Sequence, residues 1–138
     1  MTVNKNYVQL SKATNKQIFD PKFKADALRA VDRAVEKAIR ANPKLTLDAP
    51  KEKGAKGWSL VTSLVSLGPD KSNKQLEAKV EMVIATWPGK AIKAMPKGSG
   101  ALAQNMSKVG KGDIEAVADG ATAAAMKAAV KYLADTAP

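Results

Sequence analysis

The chain has 138 residues, neither histidine nor cysteine, and a formal charge of +10. That length suits one domain with a real core. The two missing residue types exclude histidine acid–base chemistry, Ser-His-Asp and Cys-His nucleophile systems, disulfides and the usual zinc ligand sets.

The charge is uneven. Residues 1–112 carry twenty-one basic and nine acidic side chains, whereas residues 113–138 set Lys127 and Lys131 against Asp113, Glu115, Asp119 and Asp135. A basic field of this kind aids solubility or draws an anionic partner, and charge alone does not choose between them. No apolar run approaches the roughly 18 residues of a membrane-spanning helix. Residues 1–20 contain no apolar export segment, so the expectation is a soluble protein, either cytoplasmic or exported with its leader absent from the sequence.

Residues 1–19 read as a polar N-terminal arm or edge strand, with a short alternation at Tyr7, Val8 and Leu10, ahead of a single compact domain over residues 20–138. Asp20-Pro21 is a helix start, because Asp20 can accept from free first-turn amides and Pro21 has no donor to waste. Phe23, Ala27, Val31, Val35 and Ile39 then repeat at helical spacing, and Asn42-Pro43 closes the helix. Leu45 to Leu47 is a short extended segment, and Asp48 to Gly57 reads as an exposed loop of alternating charge.

Trp58 to Leu67 and Leu76 to Trp87 both alternate at the period of a strand, and Gly68 to Lys74 between them is a turn, which predicts an antiparallel pair. The second face of Trp58 to Leu67 carries Ser59, Val61, Ser63 and Val65 and is only partly polar, so it awaits the arm or a partner. Pro88-Gly89 suits a tight turn before a returning strand over Lys90 to Met95, which Pro96 limits or puts at an edge. Lys97-Gly98-Ser99-Gly100 reads as a loop. Asp113 is expected to cap a second helix to about Ala134, whose stripe is Ile114, Val117, Ala121, Ala125, Ala128 and Tyr132. Gly120 inside it costs about 1 kcal/mol relative to alanine, and close backbone packing is the reason expected for it.

Together these elements predict an α+β fold: two long helices packed on one face of a predominantly antiparallel three- to five-stranded sheet.

Catalytic candidates are few. Glu77 and Glu81 share a strand face about 13 Å apart, and Glu115 and Asp119 are helical neighbours; a solvated role is the simpler reading of both pairs. Ser99 has no base other than Lys97 or Lys93. No catalytic, cofactor or metal site is expected, and no motif is specific enough to name a family.

The strongest local signal is a run of Lys90, Lys93, Lys97, Lys108 and Lys111 without an intervening acid. Folded onto one surface, these lysines would form an anion-binding patch for an anionic protein or a cell-envelope polymer. The first alternative is sequence-nonspecific nucleic-acid binding through Arg29, Arg33, Arg40 and the same lysines; scarce aromatics argue against base stacking. The second alternative is a small-molecule-binding domain, which requires a pocket that the pattern of residues does not reveal. Trp87, beside Pro88-Gly89, is the one aromatic to test as an exposed contact, and a rim residue closing the core is the simpler reading of it.

Overall fold

The computed structural model describes residues 5–138; the first four residues of the expected arm lie outside them. Among the described residues seven strands, β1 (Asn6–Leu10), β2 (Thr14–Ile18), β3 (Leu45–Thr46), β4 (Gly57–Pro69), β5 (Gln75–Trp87), β6 (Ile92–Ala94) and β7 (Lys97–Ala103), build one sheet. Two helices, α1 (Lys24–Arg40) and α2 (Lys111–Asp135), accompany it.

The spine is the antiparallel pair β4–β5, which runs from Gly57 opposite Trp87 to Pro69 opposite Leu76. One row of side chains, Trp58, Leu60, Leu64 and Leu67 with Leu76, Ala78, Val80, Met82 and Ile84, is buried, as period-two alternation requires of a sheet with one covered face. A turn joins the two strands around Asp70, whose carboxylate accepts from Ser72 Oγ at 2.9 Å and from the Lys74 and Gln75 amides at 3.0 and 3.3 Å.

Desolvation pushes the Asp70 carboxyl up, but the Ser72 hydroxyl and the amides of Gln75, Lys74 and Ser72 outweigh it and hold the group below its ordinary value. As pH falls, the unfolded chain therefore takes up this proton first. The turn's contribution is full above the ordinary aspartate range and is lost as pH falls through the lower folded value. Asp70→Asn is expected to lower the urea midpoint at neutral pH, and the difference from wild type should disappear in strong acid.

The expected fold class is corrected here. The sheet has seven strands and is mixed and strongly curled into a half-barrel, rather than predominantly antiparallel with three to five strands. Strands β1 and β2 lie end to end along one side of β4, both parallel to it, and β3 adds outside β1, again parallel. Along the other side of the spine, β7 and β6 lie end to end against β5, antiparallel. The parallel pairing follows from connectivity: α1 stands between β2 and β4, and a helical crossover returns the chain in the same direction, whereas a tight turn reverses it. A register shift between Leu64 and Ser66 helps to bend the long spine.

Nor do two long helices lie side by side on one sheet face. The C-terminal helix α2 comes closest to the sheet, at β7 and β5, while α1 packs against α2 and approaches the sheet backbone most closely at β2 and β3. The Asp20 carboxylate accepts from the Lys22 amide at 3.1 Å in a single 3-10 turn, Pro21–Phe23, that precedes α1. Ala27, Ala30, Val31, Val35 and Ile39 form its buried stripe. The Ala13 amide donates to Asp32 on α1 at 2.8 Å, tying the link between β1 and β2 to the helix. The Asn6 amide side chain donates to the carbonyls of Leu133 and Thr136, fastening β1 to the end of α2.

Lys97 to Gly100, expected as a loop, is the start of β7. The glycines serve helix packing. A Cβ on Gly100 would stand 2.8 Å from Ala121 N and Val117 O, and one on Gly98 would collide with Ala121 O and Ala125 N. The backbones of β7 and α2 therefore meet with no side chain between them, with Ala121 and Ala125 completing the contact. Gly120 does not share this role, contrary to the expectation of close packing, because a Cβ there meets nothing within 4 Å. Ala128, expected on the buried stripe, is likewise exposed. Gly120→Ala is therefore expected to stabilise the protein by about 0.5–1 kcal/mol through helix propensity, read as a higher urea midpoint at unchanged slope.

Candidate functional site

At one end of the spine the chain leaves β5 through Trp87-Pro88-Gly89-Lys90. Thr86 holds this turn: the Lys90 amide donates to its carbonyl at 2.6 Å, the Ala91 amide to its hydroxyl at 2.9 Å, and its own amide to the Ala91 carbonyl at 2.9 Å. Lys90 sits at φ +62°, where the closing residue of so tight a turn must go. Its side chain is exposed, as is that of Lys93 on β6.

The loop over residues 47–56 returns to the same end, since Gly57 pairs with Trp87. Gly54, Ala55 and Lys56 from that loop, Thr86, Trp87, Pro88 and Gly89 from the turn, and Pro138 surround a hollow of about 420 Å³. Trp87 is half-buried at the rim of the core. It meets the Tyr7 ring edge to face at 4.8 Å, an arrangement with Tyr7 packed against Gly57, where a side chain would collide with it. The result is a fixed aromatic wall beside a basic rim formed by Lys56 and Lys90. Ile92 and Met95 flank Lys93 and are 63% and 52% exposed.

The five lysines expected as one patch fall into separate places. Lys90 and Lys93 belong to the Trp87 end. Lys97 opens β7 and lies 3.7 Å from Glu81. Lys108 follows the far end of β7, where Ala103 pairs with Gln75, so the thirteen residues of β5, roughly 40 Å at 3.3 Å per residue, separate it from Lys90. Lys111 starts α2 and lies 4.0 Å from Asp26 and 3.8 Å from Glu115. The structure instead brings Lys56 to the turn that carries Lys90. The sequence signal for it was the basic loop itself, whose return to the Trp87 turn depends on the register of β4 against β5.

The three arginines are all engaged: Arg29 lies 3.8 Å from Asp26, Arg33 3.8 Å from Glu115, and Arg40 2.9 Å from Glu36. Ser99 is exposed on β7, and its neighbour Lys97 faces Glu81. Among the described residues no three metal-ligating side chains converge, and no helix is long and apolar enough to cross a membrane.

No protein-family model matches the chain, and no curated protein sequence matches it. Solved structures do share its fold. The hypothetical protein CT253 from Chlamydia trachomatis superposes with a TM-score of 0.68 at 8% identity, covering 96% of this chain and 99% of that one. Protein XCC0632 from Xanthomonas campestris, of family DUF330, gives 0.60 at 10% identity, with 94% and 84% covered. A PelC dodecamer from Paraburkholderia phytofirmans gives 0.52 at 12% identity, with 91% and 88% covered. At such identities the likeness establishes the fold, and function rests on this chain's own residues.

Proposed function

We propose that this chain is a non-catalytic binding and assembly domain that holds a polyanionic partner, such as a cell-envelope polymer, at the Trp87 end of its sheet. The observation that carries the proposal is the state of Lys90 and Lys93: both are exposed, and neither has a carboxylate within ion-pair distance among the described residues. Beside them stand Lys56 and a hollow walled by Trp87, Pro88 and Pro138. Lysines supply long-range attraction without fixed geometry, and an aromatic wall adds contact with the apolar face of a ring. The likeness to a PelC dodecamer lends support to assembly in several copies.

Nucleic-acid binding through the arginines is the weaker reading, because each guanidinium already faces a carboxylate. The test is binding to a polyuronate, heparin and duplex DNA across a salt series. Lys56→Gln/Lys90→Gln/Lys93→Gln is expected to weaken polyanion binding at least about tenfold and to flatten its salt dependence. Arg29→Gln/Arg33→Gln/Arg40→Gln should leave it within about twofold. The reverse ranking would transfer the site to α1, and no binding at low salt would end the proposal.

A further inference from the structure

The sheet has one margin that is open and nearly uncharged. Strand β7 pairs with β5 on one side, and among the described residues no strand pairs with its other side. The Met82 amide donates to the Pro96 carbonyl at 2.8 Å, which sets the alternation of the antiparallel ladder. Gly98, Gly100 and Leu102 turn their amides and carbonyls to β5, so those of Lys97, Ser99, Ala101 and Ala103 point outward. The side chains of these four residues are exposed on the uncovered sheet face. Such an edge templates pairing unless charge, proline or a bulge blunts it. The opposite margin, β2, is blunted by Lys16, with Lys12 close by. Strand β7 has a single charge, Lys97, at its first residue and near Glu81.

We infer that β7 is the interface between two copies of this chain, paired antiparallel about a two-fold axis at Gly100, so that the two sheets become one. The register is self-complementary. Lys97 falls opposite Ala103 of the second copy, and Ser99 opposite Ala101. Every residue with outward main-chain groups then faces another of the same kind, and each pair exchanges both of its hydrogen bonds. No like charge stands opposite another, and Lys97 meets the small Ala103. The covering helix leaves room for this approach. The main chain at Gly120 passes near Gly100 while its own Cβ position faces open space, and Gly120, Ala124 and Ala128 are exposed at four-residue spacing away from the groove that α2 shares with α1. None has a side chain large enough to overhang the strand. A single extended peptide would satisfy the same groups, and a second copy does so in a register that opposes no like charges and leaves every outward pair hydrogen-bonded. This surface is separate from the Trp87 end, so either reading can fail while the other stands.

The test uses the full chain. Amide exchange measured at rising protein concentration should slow at Lys97, Ser99, Ala101 and Ala103, while Gly98, Gly100 and Leu102 stay protected throughout. Sedimentation should show a concentration-dependent dimer. Ser99→Lys/Ala101→Lys places like charges opposite one another and should weaken the dimer at least tenfold without moving the monomer's circular dichroism. Mixing it with Ser99→Glu/Ala101→Glu should restore a mixed dimer, because position 99 of one chain faces position 101 of the other. A wild-type chain that stays monomeric, including one that captures only peptides, overturns the inference. So does a dimer that is indifferent to these variants.

Discussion

Gly98→Ala is expected to destabilise the protein by about 3 kcal/mol, the upper part of the range for overpacking, although it adds one methyl group to a strand. The new Cβ would collide with Ala121 O and Ala125 N on α2. Those are main-chain atoms, so no rotamer change can clear the space, and the helix must lift away from the strand. Lifting α2 also loosens Ile114, Val117, Met126 and Leu133, all of which it buries in the common core. A urea titration at fixed pH, with Gly120→Ala as the control, checks this. The two substitutions make the same chemical change, one in the strand under α2 and the other on the helix's exposed side, and should move the midpoint in opposite directions. Equal, small effects would mean that α2 does not pack directly on the backbone of β7.

Trp58→Ala is expected to cost about 3–5 kcal/mol, as for deletion of a buried aromatic side chain. Trp58 is 1% exposed on β4, and its ring meets Tyr132 of α2 edge to face at 5.4 Å. Val8 of β1 stands beside it in the neighbouring strand, so this side chain joins the parallel and antiparallel parts of the sheet to the helix. Its indole Nε1 is buried without a hydrogen-bond partner among the described residues. Trp58→Phe removes that unpaired donor and keeps most of the contact, so its cost should be far smaller, about 1.5 kcal/mol or less. Comparison of the two variants by denaturant midpoint separates the value of the ring from the cost of its unpaired nitrogen. Similar losses in both would assign the stability to the indole as a whole.

The candidate site was legible only in part. Trp87, Lys90 and Lys93 stood out because a tryptophan, a Pro-Gly turn and two lysines occur within seven residues. Lys56 did not, because its nearness to Lys90 depends on Gly57 pairing with Trp87, a contact thirty residues away along the chain. Lys108 and Lys111 were grouped with Lys90 for the opposite reason: a strand returns the chain to the far end of the sheet, so residues close in sequence become distant in space. The glycines of β7 misled in the same way. A pair of glycines usually marks a turn, and nothing local to Gly98 and Gly100 announces a helix resting on them.

What the sequence determined by itself was the set of properties that depend on near neighbours. These are the helix start at Asp20-Pro21, the stripe of α1, the Asp70 turn, and the alternation that makes β4 and β5 antiparallel partners with one buried face. Helical and strand periods, caps and turns are set within a few residues, so composition and order suffice to show them. Only the tertiary structure decided that β1 and β2 join the spine in parallel, that α2 comes closer to the sheet than α1 does, and which lysines share an end. Those outcomes depend on which surfaces meet across the core. Close packing of backbone on backbone at Gly98 and Gly100 selects among arrangements that the local patterns allow equally.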